Sequence, residues 1–89
     1  MGYNDEIKND ILVRMNRIQG QIKGISKMIS DEVYCDNILN QILAVDCALK
    51  SVGRLLMEAH IRKCVVTKIQ SGELEIIDEL MKTLKKLIS

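Results

Sequence analysis

From Ile11 the apolar side chains fall at Ile11, Met15, Ile18, Ile22, Ile25 and Ile29, spaced four and three apart in strict alternation. That spacing is a heptad seam and predicts a helix. Asn16, Gln19, Lys23 and Lys27 take the opposite side, so the helix is amphipathic and should run from about Glu6 to about Ile29. Ser30, Asp31 and Glu32 then supply side chains suited to capping a following helix and acids suited to its positive end, which predicts a turn. A second seam runs through Ile38, Ile42, Val45, Leu49, Val52 and Leu56, with Ala44, Ala48, Leu55 and Ala59 alongside. It is wider than one neighbour needs. No breaker interrupts it from Tyr34 to about Val66, a rod of roughly 50 Å at ~1.5 Å per residue. Gln70-Ser71-Gly72 closes it. In the third helix Glu73, Glu75, Asp78 and Glu79 come early and Lys82, Lys85 and Lys86 late, the order a helix dipole favours, and Ile77, Leu80, Leu84 and Leu87 form the expected apolar face.

Composition agrees with an all-α chain and narrows its class. The 89 residues suffice for one domain, with neither Pro nor an internal repeat or linker to divide it, so residues 1–89 read as a single unit. Hydrophobic residues make up 47%, but the only aromatic ones are Tyr3 and Tyr34, so aliphatic side chains must build the core. One rod longer than a compact bundle of this size can cover leaves apolar surface exposed, and oligomerisation is the expected remedy. No apolar stretch approaches the ~20 residues of a membrane span, and the start has neither a secretory nor a myristoylation signal, which predicts a soluble, cytoplasmic protein with no membrane partner. A formal charge of +1 excludes a polybasic tail; any contact with nucleic acid must come from a local patch.

Three cysteines, an odd number, argue against a stapled secreted scaffold. Among them, Cys35 and Cys64 share a helical stripe with His60. His60 and Cys64 are four residues apart, and Cys35, 25 positions before His60, returns to within about 20° of the same direction at ~3.6 residues per turn. Along the rod, however, Cys35 and His60 are ~37 Å apart, whereas a metal–thiolate bond is about 2.3 Å. One chain cannot close such a site. Two rods packed antiparallel about a two-fold axis would set Cys35 of one beside His60 and Cys64 of the other, twice per dimer. Between them the stripe carries Ile42, Leu49, Gly53 and Leu56, fit for a dimer seam, with Asp46 the polar exception. Cys47 points about 120° away and reads as a small core or interface hydrophobe. The competing reading is plain: two thiols and an imidazole that are merely buried or incidental. If a metal does bind, two thiolates and one imidazole form a soft three-coordinate set that favours Cu(I) over zinc, which wants a fourth ligand. Protons compete for all three groups, so affinity should fall with pH.

The runs from Arg14 to Ile25 (Arg-Met-Asn-Arg-Ile-Gln-Gly-Gln-Ile-Lys-Gly-Ile), Tyr34-Cys35, Gln41-Ile42, Ala44-Val45 and His60 through Cys64-Val65 resemble the CsoR/RcnR family of bacterial metal-sensing repressors over nearly the whole chain. The resemblance implies a disc-shaped tetramer, a dimer of antiparallel dimers, that binds operator DNA without a helix-turn-helix and releases it when metal binds. Its copper-sensing branch has Cys, His and Cys where this chain has Cys35, His60 and Cys64. Nickel and cobalt sensors carry His where this chain has Cys64, and another near the N-terminus, where it has Tyr3. Formaldehyde-responsive members lack the last Cys, and persulfide sensors lack the His. The resemblance further implies that Tyr34 and Glu79 hydrogen-bond towards the ligand histidine and relay its occupancy to the third helix; each is also an ordinary residue for its helical position.

On the first helix, Arg14, Arg17 and Gln21 share a stripe beside the seam, and Gly20 and Gly24 leave the backbone open next to it, a face suited to phosphate contact or to helix packing. Lys50 and Arg54 are further candidates for DNA contact, and the resemblance places Arg14 and Arg54 on the DNA face; a solvated charged stripe is the bland alternative. No cluster of nucleophile, base and orienting group appears, so no enzyme activity is expected. The reading is a copper(I)-responsive repressor acting as a homotetramer. Its alternatives are a persulfide- or thiol-responsive repressor of the same family, linking Cys35 to Cys64 through sulfur, and a cytosolic copper buffer that binds no DNA.

Overall fold

A computed structural model describes residues 5–88. Helix α1 spans Asp5–Ser30 and α2 spans Cys35–His60. The rod then continues through a π-helical turn, Ile61–Val65, into a short α3, Val66–Gln70, before the chain reverses into α4, Glu75–Ile88. The described residues contain no strand. Their greatest extent is 55 Å, in keeping with one long rod.

The two reversals share one device. After α1, Val33 N–H donates to Met28 O (3.0 Å) and Glu32 N–H to Ile29 O (3.1 Å), while Glu32 takes a left-handed φ of 54°. After α3, Glu73 N–H donates to Lys68 O (2.8 Å) and Gly72 N–H to Ile69 O (3.0 Å), with Gly72 at φ 85°. Both are Schellman closures, which satisfy carbonyls a helix end leaves unpaired. Ser30, Asp31 and Glu32 therefore form the predicted turn by ending α1 and do not cap α2. The cap position of α2 is Tyr34, and no side chain bonds there. Asp31 pairs instead with Lys27 (3.5 Å).

Packing is thin. Helices α1 and α2 lie against each other around Ile18, Val45 and Val52, with Ile11, Met15, Ile25 and Ala48 at the margin. Ala59, Val65 and Ile76 are the other buried apolar side chains. Ile22 and Ile29, predicted members of the α1 seam, stay 48% and 57% exposed, because α2 covers only part of the stripe within one chain. In α4 the inward residue of the first turn is Ile76, 4% exposed, whereas the predicted Ile77 is 43% exposed. The face thus runs Ile76, Leu80, Leu84, Leu87, and Leu87 reaches α2 so closely that a Cβ on Gly53 would lie 3.0 Å from Leu87 Cδ1. The ion pairs Arg14–Asp10, Lys27–Asp31, Lys50–Asp46 and Arg62–Glu58 each join residues four apart on one helix. Such pairs support helices by a few tenths of a kcal/mol and do not hold the helices together.

Glu32 holds the left-handed position that Gly72 fills at the other turn. An L-residue there costs about 1–2 kcal/mol, partly offset by the greater freedom glycine gains on unfolding. Glu32→Gly is expected to raise stability by about 0.5–1 kcal/mol, read as a higher urea midpoint at fixed protein concentration. A lower midpoint would mean that the Glu32 side chain outweighs backbone strain at this turn.

Candidate metal centre and nucleic-acid face

Cys35 opens α2 and is exposed; His60 closes α2 and Cys64 lies in the π-helical turn, both half-buried. The first thiol and the imidazole are thus held at opposite ends of a continuous helix. No three His, Cys, Asp or Glu side chains among the described residues come together as a metal site. His60 and Cys64 meet the requirement for a half-site, with the missing donor out of reach in the same chain.

The unbroken α-helix expected through this region is replaced by a wider turn, in which Val66 N–H donates to Ile61 O, five residues back. In a regular α-helix the fourth residue passes slightly beyond one full turn; in a π turn it stops short of it. Cys64 therefore stays on the His60 side of the rod, but its angular offset is not the one that α-helical counting gives. Among the described residues the His60 imidazole and the Cys35 and Cys64 thiols make no hydrogen bond. A soft set of two sulfurs and one nitrogen fits a monovalent copper ion.

The stripe between the half-sites is open. Ile42, Leu49 and Leu56 are 44%, 43% and 38% exposed although each belongs to an apolar face of α2. Asp46 is engaged by Lys50 at 3.3 Å, so the polar residue on the stripe is already paired. Gly53 serves a contact inside the chain, against Leu87, in addition to its place on the stripe. Cys47 is exposed and takes no part in the core. Tyr34 lies next to Cys35 and is 74% exposed, at the end of α2 remote from His60 in its own chain. Glu79 is exposed on α4 and lines a hollow at the α3–α4 reversal with Lys68, Glu73, Glu75 and Ile76. Neither side chain bonds His60 within the chain. Tyr3 lies outside the described residues.

The five basic and amide residues singled out for DNA divide between two clefts. Arg14, Arg17 and Gln21 line one between α1 and α2, together with Ile18, Ala48 and Ser51. Lys50 and Arg54 line another between α2 and α4, with Arg62 as a further cation. Arg14 donates from Nε to Asp10 (3.1 Å) and from Nη1 to Ser51 Oγ (3.4 Å), whereas Arg17 and Arg54 have no ion pair among the described residues. A Cβ at Gly20 or Gly24 would meet nothing within 4 Å, so neither glycine packs against another of the described residues. Ser51 and Arg62 were missed in the sequence. Ser51 did leave a signal, a small polar residue between Ala48 and Val52 on the side of α2 that faces α1.

The metal-sensitive transcriptional repressor family matches residues 7–86, and the chain belongs to it. The copper-sensing transcriptional repressor CsoR of Bacillus subtilis is 44% identical over 80 residues, covering 89% of this chain and 79% of that one. The copper-sensing repressor RicR of Mycobacterium tuberculosis is 38% identical over 80% of this chain and 73% of its own length. Among solved structures, the copper-sensing repressor CsoR with Cu(I) from Geobacillus thermodenitrificans superposes with a TM-score of 0.89 at 38% identity, covering 100% of this chain and 94% of that one. The nickel-responsive regulator InrS gives 0.73 at 30% identity, over 89% and 90%. The expected all-α fold and the expected family therefore hold, and the family is one of transcriptional repressors, not enzymes. No described helix is long and apolar enough to cross a membrane.

If the open stripe of α2 is a seam between copies, a charge placed on it should separate them without disturbing the chain's own core. Leu49→Glu is expected to lower the mass measured by light scattering, retain helical circular dichroism and lose tight Cu(I) binding together. Normal Cu(I) binding by a fully dissociated variant would contradict a site shared between subunits.

Proposed function

We propose that the chain is a copper(I)-responsive transcriptional repressor whose metal-free homotetramer holds operator DNA and lets go when Cu(I) occupies sites between subunits. The carrying observation is the placement of donors: Cys35 at one end of α2, His60 and Cys64 at the other, each set incomplete by itself. Cys35 of one copy with His60 and Cys64 of a second supplies two thiolates and an imidazole, and relatives named for copper sensing support the choice of metal. The persulfide reading has no need of an imidazole beside Cys64, so His60 favours copper over it. A buffer without DNA binding is disfavoured by membership in a repressor family.

In this reading Tyr34 travels with Cys35 to the partner's end of the site, where its hydroxyl can orient the imidazole, and Glu79 approaches from α4. Such partners fix the tautomer and direction of a ligand histidine. Arg14, Arg17, Gln21, Lys50 and Arg54 contact the sugar-phosphate backbone, and assembly repeats this modest patch around the tetramer. The protein acts in the cytoplasm, as one domain over residues 1–89. Release is a two-state equilibrium: the shape that binds Cu(I) more tightly presents the two basic clefts in a geometry the duplex no longer matches. Linkage then requires DNA to weaken Cu(I) binding by the same factor by which Cu(I) weakens DNA binding.

The test is anaerobic titration of a labelled duplex from the gene's own upstream region with metal-free and copper-loaded protein. Equal affinities would overturn the proposal. His60→Ala is expected to keep the metal-free affinity and blunt release by Cu(I). Arg14→Ala is expected to bind Cu(I) normally and to bind the duplex roughly tenfold more weakly, with a shallower salt dependence. Both variants must first be shown to keep the wild-type assembly.

A further inference from the structure

The α1–α2 cleft, of about 270 Å³, holds two features that bear on how its cations meet DNA. Gln21, which lines it, holds its Oε1 buried with no hydrogen-bond partner among the described residues. Arg14 and Arg17 line the same cleft, and both can donate into it. Two cationic donors lining one cleft call for an anion rich in acceptors. With open space beside Gly20 and Gly24, an extended polymer can lie along the same side of α1, which favours the phosphodiester backbone of duplex DNA over a small free anion.

The second feature is Ser51. Arg14 reaches across from α1 so that Nη1 donates to Ser51 Oγ at 3.4 Å, while Asp10 holds Nε at 3.1 Å from within α1. The guanidinium is thereby fixed from two helices, with its remaining donors free. We propose that Ser51 is a positioning residue for DNA binding: from α2 it orients Arg14 over the cleft, so that the grip on a backbone phosphate spans the α1–α2 junction. The inference rests on the reading of Arg14 as a phosphate contact and adds a dependence on the second helix. A slide of α2 against α1 would move Ser51 and turn Arg14 away without altering any charge.

A double-mutant cycle tests this with full-length protein and the labelled upstream duplex at fixed salt, comparing wild type, Ser51→Ala, Arg14→Ala and the double variant, each checked for assembly and helicity. Ser51→Ala is expected to weaken binding about threefold to tenfold in the wild-type background and to change nothing further once Arg14 is Ala. Ser51→Thr, which keeps the hydroxyl, is expected to bind like wild type. The same loss in both backgrounds, or no loss from Ser51→Ala, would overturn the positioning role while leaving Arg14 as a contact. Wild-type affinity in Arg14→Ala would instead remove the contact itself, and the inference with it.

Discussion

The rigidity of α2 is the constraint on which the rest depends. A continuous helix of 26 residues holds its first residue, Cys35, and its last, His60, at a separation no side chain can close. Had α2 been broken by a turn near its middle, the same three donors could have folded onto one another within a chain, and metal binding would carry no information about assembly. Because the helix keeps them apart, occupancy of the proposed site would report the relative placement of two copies. A ligand can shift an equilibrium only by its difference in affinity for the two states, and a site made from two subunits is sensitive to their geometry by construction.

The same helix explains the economy of the core. Ile18, Val45 and Val52 pin α1 to one side of α2, while Ile42, Leu49 and Leu56 remain uncovered on another. Exposed apolar surface on this scale marks a place where another surface packs. In the proposed assembly folding and association are linked, since apolar area the chain cannot bury alone is buried between copies. The stripe lies between the two half-sites, and Gly53 connects it to α4 through Leu87. A displacement of α4 can thus be felt at the stripe, and the reverse.

The sequence made the helices legible because their periods are long and uninterrupted. Cys35, His60 and Cys64 stood out because ligand chemistry and helical phase coincide. What it hid depends on local closure or on neighbours. Ile76 and Ile77 are equally apolar, and only the path of the chain through Gly72 decides which turns inward. The acids after Ser30 fit a helix start as well as a helix end, and it is the pair of backbone bonds to Met28 and Ile29 that assigns them. The π-helical turn has no signature in residue type, although it lies where two proposed ligands meet. The resemblance places Arg14 and Arg54 on one DNA face, whereas within one chain they line different clefts, one between α1 and α2 and the other between α2 and α4.

Subunit complementation tests the shared site most directly. One variant carries Cys35→Ser; the other carries His60→Ala with Cys64→Ser, and neither alone should bind Cu(I) tightly. After subunit exchange, an antiparallel heterodimer has one site with every donor removed and one with every donor intact, so a statistical mixture should recover about a quarter of the wild-type Cu(I) capacity. No recovery in a mixture shown to contain heterodimers would contradict a site built from opposite ends of two helices.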